Sequence, residues 1–323
     1  MPLLEIKNLV KRFPIKRGLW GRGQEYVHAV SGVSFSIEEG KTLGLVGESG
    51  SGKSTLGRML LRLLNPDAGE IIFEGEKIST LKSVSLKNFR KKIQMIFQDP
   101  YSSLNPRMTV AAILTEGPAI HRIGDKSSRL QKAAELLQAV GLSPEALLKY
   151  PHEFSGGQRQ RIGVARALSL LPKLIVCDEP VSALDVSIQA QMINLLQELK
   201  EKFKLTYLFI SHDLKVVSYL SDQIVVLYLG KIMEYLPADR LMETRHPYTQ
   251  ALLEAVPLPI PGKKTHEILA GEIPSTLKLP SGCVFHTRCP YVQEVCKQKI
   301  PVLRELHPNH QVACHLAEEI FGK

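Results

Sequence analysis

The stretch Gly47-Glu48-Ser49-Gly50-Ser51-Gly52-Lys53-Ser54-Thr55 constrains this chain more than any other, because it fits G-x-x-x-x-G-K-[ST] at every fixed position. Ahead of it, Thr42-Leu43-Gly44-Leu45-Val46 is short and apolar and reads as a buried strand; behind it, Leu56 to Leu64 spaces its apolar residues like a helix. A glycine loop between a strand and a helix turns its N–H groups inward, and the helix N-terminus adds partial positive charge, so a phosphate chain is held by backbone alone. In that geometry Gly47, Ser49, Gly50, Gly52 and Thr55 form the cradle, Lys53 reaches the β- and γ-phosphates, and the Ser54 hydroxyl is placed to ligate Mg²⁺. The competing reading, an ordinary Gly/Ser turn, has to explain why strand, loop and helix all agree with the motif.

At 323 residues the chain is long enough for about two domains. No apolar run reaches the roughly 18 residues of a membrane span, and Met1-Pro2-Leu3-Leu4-Glu5-Ile6-Lys7 is not built like a signal peptide, so a cytoplasmic chain is expected. The net charge of +9 is scattered, with only short groups such as Lys11-Arg12 and Arg90-Lys91-Lys92. That pattern favours a place beside an anionic membrane face over nucleic acid.

Leu3 to Leu9 alternates like an edge strand and Val33 to Ile37 does so again, predicting a small antiparallel sheet. The basic, glycine-rich loop Lys16 to Gln24 between them carries Trp20, the only tryptophan, and reads as an exposed hairpin tip. Phe13 is either a core phenylalanine or a ring for stacking on adenine. Glu70 to Phe73 and Ile93 to Phe97 are further strands, the second ending at Gln98-Asp99-Pro100. A helical block follows to about Pro151, in which Lys132 to Val140 closes at Gly141. Ser155-Gly156-Gly157-Gln158 then forms a second glycine turn opening a helix, a second anion-binding N-terminus. Leu174 to Glu179 is an apolar strand ending in two carboxylates; side chains alternate along a strand, so Asp178 and Glu179 take different tasks, one for a metal and one facing an attacking water. Leu208 to Asp213 repeats the device with His212 at its tip. A surface salt bridge, a capped turn or a solvated histidine is the plain alternative at each of these positions.

Taken together, the loop at Gly47 to Thr55, Gln98, Ser155-Gly156-Gly157-Gln158, Asp178-Glu179, Ser182-Ala183-Leu184-Asp185 and His212 resemble the nucleotide-binding subunit of an ATP-binding cassette (ABC) transporter over residues 3 to about 236. Phe154 departs from the leucine usual before the signature, and Phe13 from the tyrosine commoner at the adenine, with Tyr26 its rival. The resemblance implies an α/β P-loop NTPase cassette over 1–236, with a mixed central sheet, a small antiparallel β-subdomain and a helical subdomain inserted at about 99–170, followed by an extension over 237–323. It implies ATP and Mg²⁺ as ligands: Lys53 and the loop amides on phosphates, Ser54, Asp178 and Gln98 at the metal, Glu179 as general base, His212 on the γ-phosphate, and Phe13 on the adenine. In this family Ser155 and Gly157 cap the nucleotide held by a partner subunit, so ATP closes a head-to-tail pair, and the resemblance also makes Gly156, Gln158 and Asp185 nucleotide-binding residues.

His246-Pro247-Tyr248-Thr249-Gln250-Ala251-Leu252-Leu253 and the proline-rich Val256 to Gly262 resemble the C-terminal extension of oligopeptide and dipeptide uptake ATPases, which nickel importers share. Pro180 to Gln191 is similar to the second, F-type, subunit of such pairs. This implies a peripheral protein on the cytoplasmic face of the membrane, paired with a second ATPase subunit (a homodimer in isolation being the other arrangement). Two transmembrane permease subunits would dock on the helical block and the Gln98 to Met108 loop, fed by an extracytoplasmic binding protein, with no nucleic acid. Nickel or an opine-like solute as cargo, and a soluble cassette acting on nucleic acid or ribosomes, are the alternatives; a single cassette without heptads disfavours the last.

Of five cysteines, Cys177 sits in a core strand and reads as a small apolar residue, whereas Cys283, Cys289, Cys296 and Cys314 cluster late. Disulfides are disfavoured in a reducing cytosol, and four thiolates suit tetrahedral zinc or an iron–sulfur cluster, although the spacing matches neither the zinc C-x₂-C pattern nor the short ferredoxin run. Similar tails in peptide-transporter ATPases carry a [4Fe–4S] cluster, which is the implied occupant, with Zn²⁺ or free thiols as alternatives.

Overall fold

The computed structural model describes residues 1–16, 24–255 and 271–322. The Trp20 loop and the stretch Val256 to Gly262 fall largely or wholly outside the described residues. Among those described, the strands are β1 (Leu4–Lys16), β2 (Gln24–Ile37), β3 (Thr42–Val46), β4 (Ala68–Phe73), β5 (Glu76–Lys77), β6 (Ile93–Ile96), β7 (Leu174–Asp178), β8 (Thr206–Ser211), β9 (Gln223–Tyr228), β10 (Lys231–Pro237), β11 (Arg304–His307) and β12 (His310–Val312). The chain divides into two compact units.

The first unit comprises residues 1–3, 37–42 and 80–210. Its sheet pairs β6 with β7 and β7 with β8, all parallel, with Ile96 opposite Cys177 and Asp178 opposite Ile210. Every residue of β7 and β8 is buried, which is why Leu174 to Cys177 and Tyr207 to Ile210 read as continuous apolar runs rather than alternating ones. Cys177 is fully buried, and burial pushes its thiol far above the usual range. The helix Val186–Phe203 buries Met192, Leu195, Leu196 and Leu199, spaced as one helical face. The helical block comprises Val110–Ile120, Lys126–Ala139 and Gly156–Leu168. Thr109 caps the first through the Ala112 N–H at 3.3 Å and Asp125 the second through the Ser128 N–H at 2.8 Å. The expected stop at Gly141 is present, with a left-handed φ of +73°.

The second unit comprises residues 4–36, 43–79 and 211–323. One sheet runs β2-β1-β4-β5. Its β1 is longer than the expected edge strand and lies between β2 and β4 rather than at an edge. A register break between Lys7 and Val10, with Asn8 at φ +47°, moves the buried series from Leu4 and Ile6 to Leu9, which a strict alternation would expose. The other sheet is mixed: β3 pairs parallel with β9, β9 antiparallel with β10, and β12 joins β10 to β11. Strands from the C-terminal region thus extend the sheet whose β3 leads into the glycine loop. The helix after that loop is Lys53–Leu60, shorter than its apolar spacing implied, because Arg62 turns left-handed at φ +53°.

Buried polar groups fasten the C-terminal region. Glu234 on β10 accepts hydrogen bonds from Thr244 Oγ1 at 2.5 Å and the Arg245 N–H at 2.6 Å, and pairs with His310 Nε2 on β12 at 2.7 Å. Desolvation alone would raise its carboxyl pKa; those bonds win and hold it below the usual range. His246 is buried and its Nδ1 accepts from the Tyr248 N–H at 3.0 Å, capping the helix Pro247–Glu254. Burial depresses the imidazole from 6.5 to about 4. The unfolded chain therefore protonates first as pH falls, and stability drops between about pH 6.5 and 4. Urea unfolding should show a loss of about 2 kcal/mol from this group between pH 7 and pH 5. In His246→Asn, which keeps a capping oxygen and removes the titration, the pH dependence should flatten.

Candidate functional site

The glycine loop is shaped by close backbone approach. A Cβ on Gly47 would lie 2.1 Å from the Leu227 carbonyl oxygen, and one on Gly52, at φ +103°, 2.1 Å from that of Ala29. Both neighbours are backbone, so neither can yield as a flexible side chain would. The Ser51 N–H donates to Glu48 O at 3.1 Å, and the Gly230 N–H to Ser51 O at 2.9 Å, closing the turn against the sheet. Lys53 is buried at the start of its helix, and its Nζ donates to the carbonyls of Gly47 at 2.7 Å and Glu48 at 2.9 Å. Ser49 and Gly50 are exposed, and Ser54 and Thr55 are half-buried, so the loop offers an open, amide-rich concavity. In the same unit, Phe13 is half-buried on β1 with Lys11 Nζ 5.5 Å from its ring centroid, and Tyr26 on β2 is 40% exposed, so both remain available to a planar ligand. His212 is exposed just beyond β8; the strand ends one residue earlier than expected, and Asp213 caps the helix Leu214–Leu220.

In the first unit, β7 ends at Asp178, which is buried, and Glu179 lies outside it. The different settings of the two carboxylates therefore come from a turn and not from strand alternation. Glu179 has φ +46°, a conformation costly for a residue with a Cβ, held by its N–H bond to Ile210 O at 2.9 Å. Gln98, exposed after β6, donates from Nε2 to Glu179 Oε2 at 3.0 Å, so two residues separated by 81 positions meet. Ser155 and Gln158 form a reciprocal capping box at the head of Gly156–Leu168, with the Gln158 N–H 3.3 Å from Ser155 Oγ and the Ser155 N–H 3.0 Å from Gln158 Oε1. A Cβ on Gly157 would lie 2.7 Å from Ile188 Cγ2, while Asp185 sits exposed at the head of Val186–Phe203. Sequence reading missed Arg159, whose guanidinium stacks 4.2 Å from the Tyr101 ring and ties the loop after Gln98 to the signature helix.

In the second unit the structure brings the four late cysteines together. Cys283, Cys289, Cys296 and Cys314 line one small pocket with His286 and His315, walled on other sides by Phe285 and Leu316. Burial raises the thiols of Cys283, Cys289 (to about 11) and Cys314 (to about 12), so without a cation they stay protonated. Backbone N–H groups point at the sulfurs: those of Phe285 and His286 at Cys283, that of Tyr291 at Cys289, and that of Leu316 at Cys314. As they stand, no three Cys, His, Asp or Glu side chains among the described residues are arranged to hold a metal ion. Nor does any helix among them have the length and apolarity to cross a membrane.

Comparison with known proteins adds lineage to this geometry. Residues 30–182 match the family described as ABC transporter, and residues 233–296 the family described as oligopeptide/dipeptide transporter, C-terminal region. The chain is 54% identical over 319 residues, 97% of each chain, to the oligopeptide transport ATP-binding protein AppF of Bacillus subtilis. It is 51% identical over 315 residues, again 97% of each, to a putative peptide import ATP-binding protein of Brucella ovis. Among solved structures, an ATP-binding cassette dimer in a post-hydrolysis state bound to ADP and Pi superimposes with a TM-score of 0.65 at 28% identity, covering 73% of this chain and 98% of that one. The cbiO1 subunit of the Clostridium perfringens cbiONQ transporter, at 22% identity and a TM-score of 0.64 over 80% of this chain and 96% of its own, matches in fold.

The carbonyl beside Gly52 makes that position the sharpest test of the loop. Gly52→Ala should weaken binding of a fluorescent ATP analogue by about tenfold or more through backbone strain. Gly163→Ala, where a Cβ meets nothing within 4 Å, should leave binding unchanged. Fluorescence titration of both variants, with circular dichroism to verify folding, checks this.

Proposed function

The chain belongs to the ABC transporter family of ATP-binding subunits, and from that membership we propose that it hydrolyses ATP to drive uptake of dipeptides or oligopeptides through a membrane permease. The observation that carries the catalytic part is the Gln98–Glu179 contact at 3.0 Å, with Glu179 held in a left-handed turn at the end of a buried strand. A carboxylate so placed serves as general base for water, and Gln98 orients it. Lys53 and the loop amides bind the phosphates, Ser54 and Asp178 hold Mg²⁺, and His212 reads the γ-phosphate. The bound Mg²⁺ supplies charge neutralisation; otherwise hydrolysis is positioning and electrostatics, as in other phosphoryl transfers. Phe13 stacks on the adenine.

The Ser155 to Gln158 turn, rigidified by its capping box, meets the nucleotide of a paired ATPase subunit, and Asp185 lies on the same interface. The permease docks on the helical block, where a cavity of about 470 Å³ is floored by Leu114, Leu136 and Leu170 and rimmed by Lys91, Arg129 and Lys132. That lining suits an amphipathic cytoplasmic helix bearing acidic residues, and docking of this kind supports the reading of a protein peripheral on the cytoplasmic face. For the cysteine pocket, the donor set and the amide N–H groups aimed at its sulfurs support a [4Fe–4S] cluster held by Cys283, Cys289, Cys296 and Cys314, which would supply a redox-sensitive crosslink within the tail.

Glu179→Gln should retain ATP binding while its hydrolysis rate falls by about a hundredfold or more; full turnover would remove Glu179 from the base role. Copurification with the permease subunits and uptake competition among peptides and nickel test the cargo, and recovery with ribosomes instead of membranes would reject the transport reading. Anaerobically purified protein should be brown and contain iron and acid-labile sulfide. A colourless protein lacking both would reject the cluster.

A further inference from the structure

Two residues of the C-terminal region, Arg288 and Tyr248, make three hydrogen bonds to the second residue of the glycine loop, Glu48, and nothing in the loop motif calls for any of them. Arg288, beside Cys289, grips Glu48 with both guanidinium arms: Nη1 to Oε2 at 2.6 Å and Nη2 to Oε1 at 3.1 Å. The pair is largely shielded, with the arginine side chain 5% and the glutamate 21% exposed. Nη1 also donates to the Tyr228 hydroxyl at 3.4 Å. Independently, the Glu48 N–H donates to the hydroxyl of Tyr248, which is fully buried. Tyr228, Tyr248 and Phe285 pack on one another with ring centroids 4.7 to 5.4 Å apart, so neither hydroxyl can swing freely. All of these groups belong to one compact unit.

The residue held in this way itself holds Lys53, through the carbonyl of Glu48. Side chain, amide and carbonyl of one loop residue are thus committed, the first two to the C-terminal region and the third to the phosphate-binding lysine. A bidentate Arg–carboxylate pair fixes orientation as well as charge. A loop fixed before its ligand arrives gives up less freedom on binding.

We propose that Arg288 and Tyr248 are positioning residues for nucleotide binding: the C-terminal extension completes the phosphate loop of its own chain by locking Glu48. The proposal rests on the assignment of that loop to ATP. Breaking the lock weakens nucleotide binding and leaves the chemical step nearly intact, because neither residue is placed at the reacting atoms.

The test uses the full-length chain, with affinity for a fluorescent ATP analogue measured in isolation and KM and kcat measured in the assembled complex. Arg288→Ala and Tyr248→Phe should each raise the dissociation constant and KM about tenfold, with kcat within about twofold. Arg288→Lys, which keeps the charge and loses the fork, should fall between Arg288→Ala and wild type. In a Glu48→Gln background, Arg288→Ala should add less than about twofold, since the partner is already gone. Wild-type affinity in Arg288→Ala and Tyr248→Phe overturns the proposal, as does an undiminished Arg288→Ala effect in the Glu48→Gln background. Should Arg288→Ala fail to fold, Tyr248→Phe, which retains the ring packing, and Arg288→Lys decide between the same outcomes. Lys53→Ala separates the two levels: if it binds ATP as well as wild type, the loop assignment itself fails, whereas loss of binding in Lys53→Ala with none in Arg288→Ala rejects only the positioning role.

Discussion

The second compact unit depends on a steric fact: the glycine loop turns in a space bounded by the carbonyl oxygens of Leu227 and Ala29, each within 2.1 Å of where a Cβ would stand. Leu227 belongs to β9 and Ala29 to β2, so the loop is clasped by backbone from two different sheets. Only residues 47 and 52 need be glycine for this reason, and they are two of the fixed positions of the motif. A space so defined by backbone does not relax when side chains move. This is why a loop rich in serine and glycine, exposed at Ser49 and Gly50, holds a single shape, and why a few additional bonds to Glu48 suffice to set its remaining freedom.

Much of this organisation is legible in the sequence. β7 and β8 declare themselves because a parallel strand covered on both faces is apolar through its middle, as Leu174 to Cys177 and Tyr207 to Ile210 are, with Asp178, Thr206 and Ser211 only at the strand ends. The loop at Gly47 and the turn at Ser155 are legible because their chemistry is local, a matter of glycine and a capping hydroxyl. Boundaries are less so. The helix after Lys53 stops four residues before its apolar spacing does, because Arg62 adopts a left-handed conformation that no propensity scale assigns to arginine. Leu9 is buried through a bulge at Asn8, and a period-two reading has no means of placing it. The two carboxylates at 178 and 179 were expected in different settings, and they are, although a backbone turn and not alternation separates them.

The hidden part of the site is its long-range part. Arg288 and Glu48 are 240 residues apart, and neither lies in a pattern that names the other. The same holds for Glu234 and His310, 76 residues apart, where a carboxylate and an imidazole are wholly buried because each answers the other. A sequence shows that four cysteines are clustered. It does not show that their pocket shares residues with the aromatic cluster beside the phosphate loop, as Phe285 does by packing on both Tyr228 and Tyr248.

The strand order β3-β9-β10-β12 carries a consequence for biosynthesis. The sheet that presents the glycine loop begins at residue 42 and receives its last described strands from 304 to 312. A ribosome adding about 5 to 20 residues per second needs tens of seconds to cross that interval. In its last part, from the completion of β10 at Pro237 to the arrival of β12 at His310, β10 has an open edge and Glu234 lacks His310. The nascent chain therefore carries β10 paired with β9 on one side and open on the other until β12 follows, and it finishes the unit only when the last few dozen residues emerge, an exposed edge of the kind that sheet-shielding chaperones cover.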